Sequence, residues 1–221
     1  YPGTCRGGLP PGRAGRALRV RAEGVVRFCD AVQGEQESDL AADAGDYVGK
    51  RADGRFAVVH IQNPASYPTE TALLQKVALE LGLPLRRGKG KQMSDLLGHL
   101  IGLAAEDKHV VLIVDESQNL GKNAGKNHLE LLREFSNLDA GRKLITSVLV
   151  GQPELLERLR HNPALENRVA IRSALQPLDA AETRLLIEHR TAVAGRDYDL
   201  FTDEAYDLVH EYAGGLPRRI N

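Results

Sequence analysis

The stretch KHVVLIVDESQNL, Lys108 to Leu120, carries a run of apolar residues directly into two adjacent carboxylates, Asp115 and Glu116. A continuous apolar run of this length is typical of a strand that is buried on both faces of a parallel sheet. Ligands of open parallel sheets bind at the carboxyl ends of the strands, which is where this pair would lie. Because burying a lone carboxylate is costly, the pair predicts a metal ion, a cationic partner or a capping role.

The segments around this stretch alternate between apolar strands and amphipathic helices. RFAVVHIQ, KLITSVLVG and RVAIRSALQPL predict strands, and EGVVRFCDAV predicts a short one. Helices are predicted for TETALLQKVALELGL, with Ser66 or Thr69 as its cap, and for MSDLLGHLIGLAAED, capped at Ser94 or just before it. HLELLREFSNLD and QPELLERLRHNP predict two more helices. This alternation predicts an α/β fold whose parallel sheet is covered on both faces.

Three segments of different character divide the chain. Residues 1–54 are rich in Gly, Pro and Arg and then in acids, with little periodicity. Residues 55–177 hold the regular α/β pattern. Residues 178–221 contain two amphipathic helical patterns, each ended by glycine, which predicts a small and incomplete helical appendage. The chain starts at Tyr1 and stops directly after GGLPRRI, so we interpret it as a fragment of a longer product.

Composition excludes several classes of protein. With 221 residues, 42% hydrophobic, and a formal net charge of -1, the chain can form one α/β domain with a small accessory domain, and it does not have a strongly basic character. Cys5 and Cys29 form no Cys-x-x-Cys pair, so neither a disulfide framework nor a zinc site is indicated. No apolar run approaches the roughly 20 residues of a membrane span. These features predict a cytoplasmic location.

An apolar strand that ends in Asp-Glu suits nucleotide hydrolysis. The first carboxylate, Asp115, would hold Mg²⁺ through water, and Glu116 would polarise the water that attacks the γ-phosphate. The ordinary alternative is that Asp115 only caps the turn, because this short pattern is frequent.

Five segments resemble, in order, the AAA+ ATPase family of general secretion pathway protein A, which includes related ATPases of transposition and exopolysaccharide loci. They are VVLIVDESQNL, LLREFSNLD, ITSVLVGQPELLERL, PLDAAET and FTDEAYDLVHEYAGGLPRRIN. The resemblance covers residues 55–221, and VLVGQPEL with GGLPRRIN is its most specific part. It implies a P-loop NTPase core with a truncated C-terminal helical lid, ATP and Mg²⁺ as cofactors, and work as a homo-oligomer with protein partners of a secretion or mobile-element system.

The resemblance also implies roles for single residues. Asp115 and Glu116 match the Walker B pair, with Asp115 as the magnesium residue, and Gln152 matches the sensor 1 position beside the attacking water. Arg218 resembles the sensor 2 arginine, which reaches the γ-phosphate from the lid, and Arg219 is the adjacent alternative. Apart from the resemblance, Gln152 could simply start a helix before a proline, and Arg218 could lie on a solvated helix face.

An arginine finger is the remaining role that the resemblance implies. Arg168, in ENRVAIR, sits where such ATPases often place an arginine that is offered to the neighbouring subunit's nucleotide, and Arg172 competes with it. Arginine suits this task because it stays charged and binds phosphate oxygens with a fork of donors. A surface salt bridge is the alternative for both residues.

The phosphate-binding loop Gly-x-x-x-x-Gly-Lys-Ser/Thr has no match in this chain. AGDYVGKR, residues 44–51, keeps Gly-Lys but lies too close to the strand at 55 to leave room for a helix. VQGEQESDLAA is the second candidate, and Gly34 opens it as in the family, although Asp39 replaces the second glycine. Leu40 and Ala41 replace the lysine and the hydroxyl residue. The acids in this loop would repel a triphosphate, so we predict that this chain binds ATP poorly.

Two explanations of the missing loop stay open. Either residues 1–54 are not the natural reading frame and the parent protein has an intact loop, or the chain is a catalytically dead AAA+ scaffold. A third function, a DNA-binding regulator of the transposition type, rests on the basic loop LRRGKGK, Leu85 to Lys91, and on the Arg-rich start of the chain. A basic loop is more often plain solvated surface.

Overall fold

The structure is a computed structural model that describes residues 54–121, 128–196 and 200–220, together with the backbone of residues 26–30. Its five strands are β1 (Val26–Asp30), β2 (Phe56–Ile61), β3 (His109–Val114), β4 (Ile145–Gly151) and β5 (Val169–Ala174). The core helices are α1 (Glu70–Glu80), α2 (Lys89–Ala105), α3 (His128–Ser136), α4 (Glu154–Arg160) and α5 (Pro163–Glu166). The C-terminal helices are α6 (Ala180–Val193), α7 (Asp203–Ala213) and α8 (Pro217–Ile220).

The five strands form one parallel sheet in the order β2-β3-β4-β1-β5. The strand predicted in EGVVRFCDAV is confirmed as β1, which pairs with β4 on one side and with β5 on the other. Asp30, at the end of β1, is in register with Gly151 at the end of β4. The carboxyl ends of β1, β3 and β4 therefore share one edge of the sheet, which is the edge where ligands bind in such folds.

The two faces of the sheet carry different side chains because alternate residues of a strand point to opposite sides. Val110, Leu112 and Val114 of β3 pack into the main hydrophobic cluster with buried residues of α1 to α5. Val111 and Ile113 lie on the other face with Val148 and Val150 of β4. Burial on both faces explains why β3 is apolar throughout, and each fully buried side chain of this size contributes about 1.5–3 kcal/mol.

The first turns of the core helices depend on local caps and on tertiary contacts. Thr69 caps α1, as predicted, because its Oγ1 accepts a hydrogen bond from the backbone N–H of Ala72 at 3.1 Å. The prediction that this helix is capped at Ser94 or just before it is wrong, since α2 begins at Lys89 and its cap residue is Gly88. Lys89 pairs with carboxylates of α1 and α3, at 2.9 and 2.6 Å, so contacts distant in sequence hold this extra turn.

The C-terminal helices begin and end at strong local signals. Asp179 and Glu182 form a reciprocal capping box at the start of α6. Gly214 and Gly215 both take positive φ angles, 61° and 69°, and turn the chain after α7. This turn lets the N–H of Leu178 donate to the carbonyl of Gly215 at 2.8 Å, which joins the start of the helical unit to its end. None of the described helices has both the length and the apolar composition of a membrane span.

Candidate functional site at the carboxyl edge of the sheet

Asp115 follows β3 directly and is almost fully buried, with 2% of its surface exposed. Its backbone N–H extends the sheet by donating to the carbonyl of Ile61 at 2.8 Å, and its Oδ1 accepts from the N–H of Glu116 at 2.8 Å. Burial raises the pKa of the Asp115 carboxyl, and the nearby charge of Glu116 raises it further. The hydrogen bond from the Glu116 N–H and the nearby His60 lower this pKa in part. The surroundings of Asp115 therefore disfavour the ionised form of its carboxyl group.

Glu116 has a left-handed backbone, with φ 51° and ψ 36°. Such a conformation costs a residue with a Cβ about 1–2 kcal/mol, and it persists where the surroundings hold it. A short 3₁₀ turn, Ser117–Asn119, follows, and the Ser117 hydroxyl donates back to the carbonyl of Val114 at 2.7 Å. The chain therefore leaves β3 through a tight turn that presents the half-buried side chain of Glu116 at the edge of the sheet.

Gln118 joins the Asp-Glu turn to the end of β4. Its Nε2 donates to Oε2 of Glu116 at 2.5 Å, and its Oε1 accepts from the backbone N–H of Gln152 at 3.2 Å. Gln118 is 4% exposed. We did not single out Gln118 from the sequence, although it lies in the motif DESQNL, because a glutamine in a polar loop gives no sign that it is buried.

Gly151 allows this close approach. A Cβ atom at Gly151 would lie 2.8 Å from Oε1 of Gln118 and 3.1 and 3.2 Å from the backbone nitrogens of Gln118 and Ser117. No larger residue fits at the end of β4 unless the turn after β3 moves. The structure thus brings three of the residues considered for the site into one group: Asp115, Glu116 and Gln152.

Arg168 and Arg172 do not lie in this group at the carboxyl edge of the sheet. Arg168 precedes β5, at the amino edge of the sheet, and donates to Oδ1 of Asn137 at 2.8 and 3.1 Å. Arg172 lies on β5 and forms an ion pair with Glu166 at 2.9 Å. Since strands of six residues rise about 3.3 Å per residue, the two edges of the sheet are about 20 Å apart. Arg168 is therefore remote from the Asp115 of its own chain.

Arg218 and Arg219 are exposed residues of α8, directly after the turn that Gly215 forms. Gly34 and the rest of both candidate phosphate loops, residues 31–53, lie outside the described residues. In the chain, the segment that contains Gly34 follows β1, which ends at the same edge of the sheet as β3 and β4.

The residues at this edge fit a hydrated Mg²⁺ ion. Within the described ranges, neither Asp115 nor Glu116 takes part in an ion pair with a lysine or an arginine, and no group of three or more His, Cys, Asp or Glu side chains could hold a metal ion alone. Mg²⁺ commonly uses one or two carboxylates and completes its octahedron with water and phosphate oxygens. A buried carboxylate without a cationic partner is therefore a suitable donor for this ion.

A parallel sheet in this order, followed by a set of helices, is an α/β fold of the P-loop NTPase class, and the carboxylate pair lies at the carboxyl edge of its sheet. The chain belongs to the AAA domain family, whose family model matches residues 28–159. General secretion pathway protein A of Aeromonas hydrophila is 36% identical over 169 residues, which are 74% of this chain and 30% of that protein. The resemblance found in the sequence is confirmed.

Solved structures share the fold. The ORC2 protein of Aeropyrum pernix, in ADPNP-ADP complexes, superposes with a TM-score of 0.67 at 18% identity, over 90% of this chain and 55% of that chain. The ORC1 protein of the same organism, in complex with DNA, superposes with a TM-score of 0.62 at 15% identity, over 89% of this chain and 51% of that one. At these identities the likeness concerns the fold alone.

A second similarity points to a different kind of protein. Glutamyl-Q tRNA(Asp) synthetase of Aromatoleum aromaticum is 45% identical over 105 residues, which are 46% of this chain and 30% of that protein. A shorter match of 58 residues, 26% of this chain, reaches 57% identity with the synthetase of Chromobacterium violaceum and covers 20% of it. This chain thus spans less than a third of the length of each of these relatives and of the secretion protein.

Proposed function

We propose that the chain is an AAA+ ATPase module that couples ATP binding and hydrolysis to conformational change in an assembly. The observation that supports this function most directly is the grouping of Asp115, Glu116 and Gln152 at the carboxyl edge of the sheet. Hydrolysis of a phosphate anhydride needs a divalent cation, a positioned water and charge stabilisation, with little covalent chemistry from the protein.

Each residue of this group has one task in the proposal. Asp115 holds Mg²⁺ through water, and its burial without an ion pair to any lysine or arginine of the described residues suits that task. Glu116 accepts a hydrogen bond from the attacking water and orients it towards the γ-phosphate. The side chain of Gln152, which follows the last residue of β4, contacts the same water from the other side.

Two arginines act from outside this group. Arg168 serves the nucleotide of a neighbouring subunit in a homo-oligomer, and its position at the amino edge, about 20 Å from its own site, supports a role between subunits rather than within one. Arg218 reaches the γ-phosphate from the C-terminal helices and links their position to the bound nucleotide. Arg172, which is already paired with Glu166, is the weaker candidate for the finger.

The missing phosphate-loop motif favours a second candidate function, a catalytically dead AAA+ scaffold. Lysine and a hydroxyl residue normally bind the phosphates and Mg²⁺ there, and Leu40 and Ala41 stand in their places in the loop that begins at Gly34. In this alternative the fold serves interaction only, and Glu116 has no catalytic task.

Binding and hydrolysis of ATP, measured separately, distinguish the two functions. If the chain is an ATPase, the wild type should show Mg²⁺-dependent turnover with weak ATP binding, as its altered phosphate loop predicts, and the turnover should be lost in Glu116→Gln, a variant that keeps the hydrogen-bonding shape but not the negative charge. Binding of a fluorescent ATP analogue with no turnover above that of Glu116→Gln would reject the ATPase function for this chain. Absence of binding, with the fold intact by circular dichroism, would support the scaffold.

The similarity to known proteins of the family supports a proposal for the partners of this chain. Similarity to general secretion pathway protein A supports a secretion-type assembly with protein partners. A DNA-binding role of the transposition type receives less support, because two of the cations in its basic loop are neutralised: Arg86 pairs with Asp95 at 2.6 Å, and Lys89 pairs with Glu70 and Glu134. A DNA-binding measurement at several salt concentrations tests that role, since phosphate contacts weaken as salt rises.

The similarity to the synthetases bears on the N-terminal quarter of the chain, residues 1–54. We propose that the shorter synthetase-like match lies at the start of the chain, where it would extend a few residues past Arg55, and that the segment before Arg55 does not belong to the natural reading frame of the ATPase. The shorter match has 58 residues, about the length of the segment before the compositional break. Resequencing the locus tests this proposal. An uninterrupted frame that encodes residues 1–60 as given would reject it and leave the scaffold as the explanation of the missing loop.

A further inference from the structure

We infer that Gln118 is a positioning residue, one that holds the carboxylate of Glu116 in register with the end of β4 at Gln152. The bridge itself is a structural inference, and its effect on turnover rests on the proposed ATPase function. Gln118 is buried and forms a hydrogen bond on each side of its amide.

The side-chain amide of Gln118 forms hydrogen bonds through both its nitrogen and its oxygen. The NH₂ group donates to Oε2 of Glu116 at 2.5 Å, which fixes one carboxylate oxygen and leaves Oε1 for a further partner. The carbonyl oxygen accepts from the N–H of Gln152 at 3.2 Å. A buried amide that donates to one group and accepts from another fixes the distance between them, here between the carboxylate of Glu116 and the backbone of Gln152.

The surroundings prevent Gln118 from taking another position. Gln118 is 4% exposed, and its amide oxygen packs closely against Gly151, where a Cβ atom would lie only 2.8 Å from that oxygen. On the far side of the turn, Nη1 of Arg158 donates to the carbonyl of Leu120 at 2.9 Å, so α4 also holds the segment that carries Gln118. The turn after β3 and the β4–α4 connection are therefore tied together at two points.

This bridge matters because Glu116 has a left-handed backbone. The side chain of a residue in a tight turn has no strand or helix to direct it, so its orientation depends on its hydrogen bonds. A general base that is misplaced by about 1 Å can lose about 100-fold in rate. In this geometry Gln118 sets the distance between the carboxylate of Glu116 and the end of β4 at Gln152. These are the two residues that would contact the attacking water.

Two substitutions separate the two ends of the bridge. Gln118→Ala removes both hydrogen bonds, whereas Gln118→Glu keeps an oxygen for the N–H of Gln152 and replaces the donor with a negative charge beside Glu116. Gln92→Ala is the matched control. Gln92 is also a fully buried glutamine with two bonds, to the N–H of Arg86 at 2.7 Å and to the carbonyl of Pro84 at 3.2 Å, but it lies on α2.

Hydrogen exchange of the Gln152 amide, followed by NMR, tests the bridge without any need for turnover. In Gln118→Ala this amide should exchange about tenfold faster, because loss of an ordinary hydrogen bond changes an equilibrium by about that factor. It should exchange at the wild-type rate in Gln118→Glu and in Gln92→Ala. An unchanged rate in Gln118→Ala overturns the inference, whatever the activity.

ATP turnover tests the functional consequence. We expect kcat to fall by roughly 10- to 100-fold in Gln118→Ala and at least as far in Gln118→Glu. Affinity for an ATP analogue should stay within about twofold, and Gln92→Ala should keep its kcat. An unchanged or higher kcat in Gln118→Ala, with faster Gln152 exchange, overturns the positioning role. If the wild type has no turnover, the proposed function fails, and the exchange rates alone decide whether the bridge exists.

Discussion

The sheet and the C-terminal helices of this protein are stabilised by different means. Strand β3 is buried along both faces, and the main cluster beside it contains residues from three strands and five helices. In α6 to α8 the buried apolar side chains of the described residues are Ile187, Tyr206 and Ala213. Because apolar burial is the largest favourable term in folding, the sheet should unfold only with the whole domain, whereas the helices can open locally.

Polar contacts supplement the few buried apolar side chains of the C-terminal helices. Thr183 and His210 form a hydrogen bond of 2.9 Å between α6 and α7. Arg184 pairs with Glu188 and Asp203 and lies over the ring of Tyr206, 4.7 Å from its centre. Such exposed pairs contribute little each, typically below 1 kcal/mol. A helical unit held in this way can change its angle to the sheet at low cost, which is what the proposed function requires.

The largest expected effect compares one buried side chain in each region. Leu112→Ala in β3 should lower the free energy of unfolding by about 3–5 kcal/mol, because it leaves a cavity between packed helices and strands. Ile187→Ala in α6, at a site that is 8% exposed, should cost about 2 kcal/mol or less. Urea unfolding followed by circular dichroism measures both values. Equal losses would contradict the difference between the two regions.

A glycine substitution tests whether the C-terminal helices open independently. In Gly215→Ala the new Cβ would lie 2.1 Å from the carbonyl oxygen of Leu178, and φ is +69°. We expect a loss of about 2–3 kcal/mol that is confined to these helices. Gly195→Ala is the control, since φ is +82° there but no atom lies within 4 Å of the Cβ, and about 1 kcal/mol is expected.

Amide hydrogen exchange distinguishes a local effect from a global one. Amides of α6 and α7 should exchange faster in Gly215→Ala, while those of β3 keep their protection. If β3 loses protection to the same extent, the helices and the sheet unfold as one unit, and the comparison between the regions fails.

Asp115, directly after β3, is a residue whose substitution is expected to stabilise the fold. The pKa of this carboxyl is raised, so the folded state binds its proton more tightly than the unfolded chain does. The resulting stabilisation is present at pH values below the ordinary pKa of aspartate and is lost as the pH rises through the raised value. Above both values Asp115 destabilises the fold by a constant amount.

Asp115→Asn should therefore raise the free energy of unfolding at neutral pH by about 0.5–2 kcal/mol. The side-chain oxygen that accepts from the N–H of Glu116 is kept in this variant. Thermal unfolding at pH 7 and at pH 3 measures the effect, and the advantage of the variant should shrink at the lower pH. A variant that is less stable than the wild type at pH 7 would contradict the raised pKa.

The smallest effect concerns the exposed contacts of the C-terminal helices. Arg184→Gln should cause a smaller loss of stability than any of the destabilising substitutions above, and the loss should decrease when the salt concentration is raised. Chemical denaturation at two salt concentrations gives both numbers. A loss as large as that of Leu112→Ala would mean that the polar contacts of this region hold it as firmly as apolar burial holds the sheet.

Local pattern was sufficient for much of the fold. The strands and their order in the chain follow from apolar runs, and Thr69 follows from the preference of threonine for the position before a helix. Ser94 shows where this reasoning fails. Ser94 is a good cap by type, but α2 is capped six residues earlier, at Gly88, and Lys89 in its first turn pairs with carboxylates on two other helices.

The candidate site also combines residues that the sequence alone identifies with residues that only the tertiary structure places there. Asp115 and Glu116 can be recognised from the chain alone, because an apolar strand that stops at two carboxylates is a local pattern with a limited set of chemical explanations. That Gln152 lies next to them, that Gln118 is buried between them, and that Gly151 leaves the space for it were decided by the pairing of β3 with β4. The physical reason is that strand pairing and burial depend on residues about thirty positions apart, and no local pattern records such contacts.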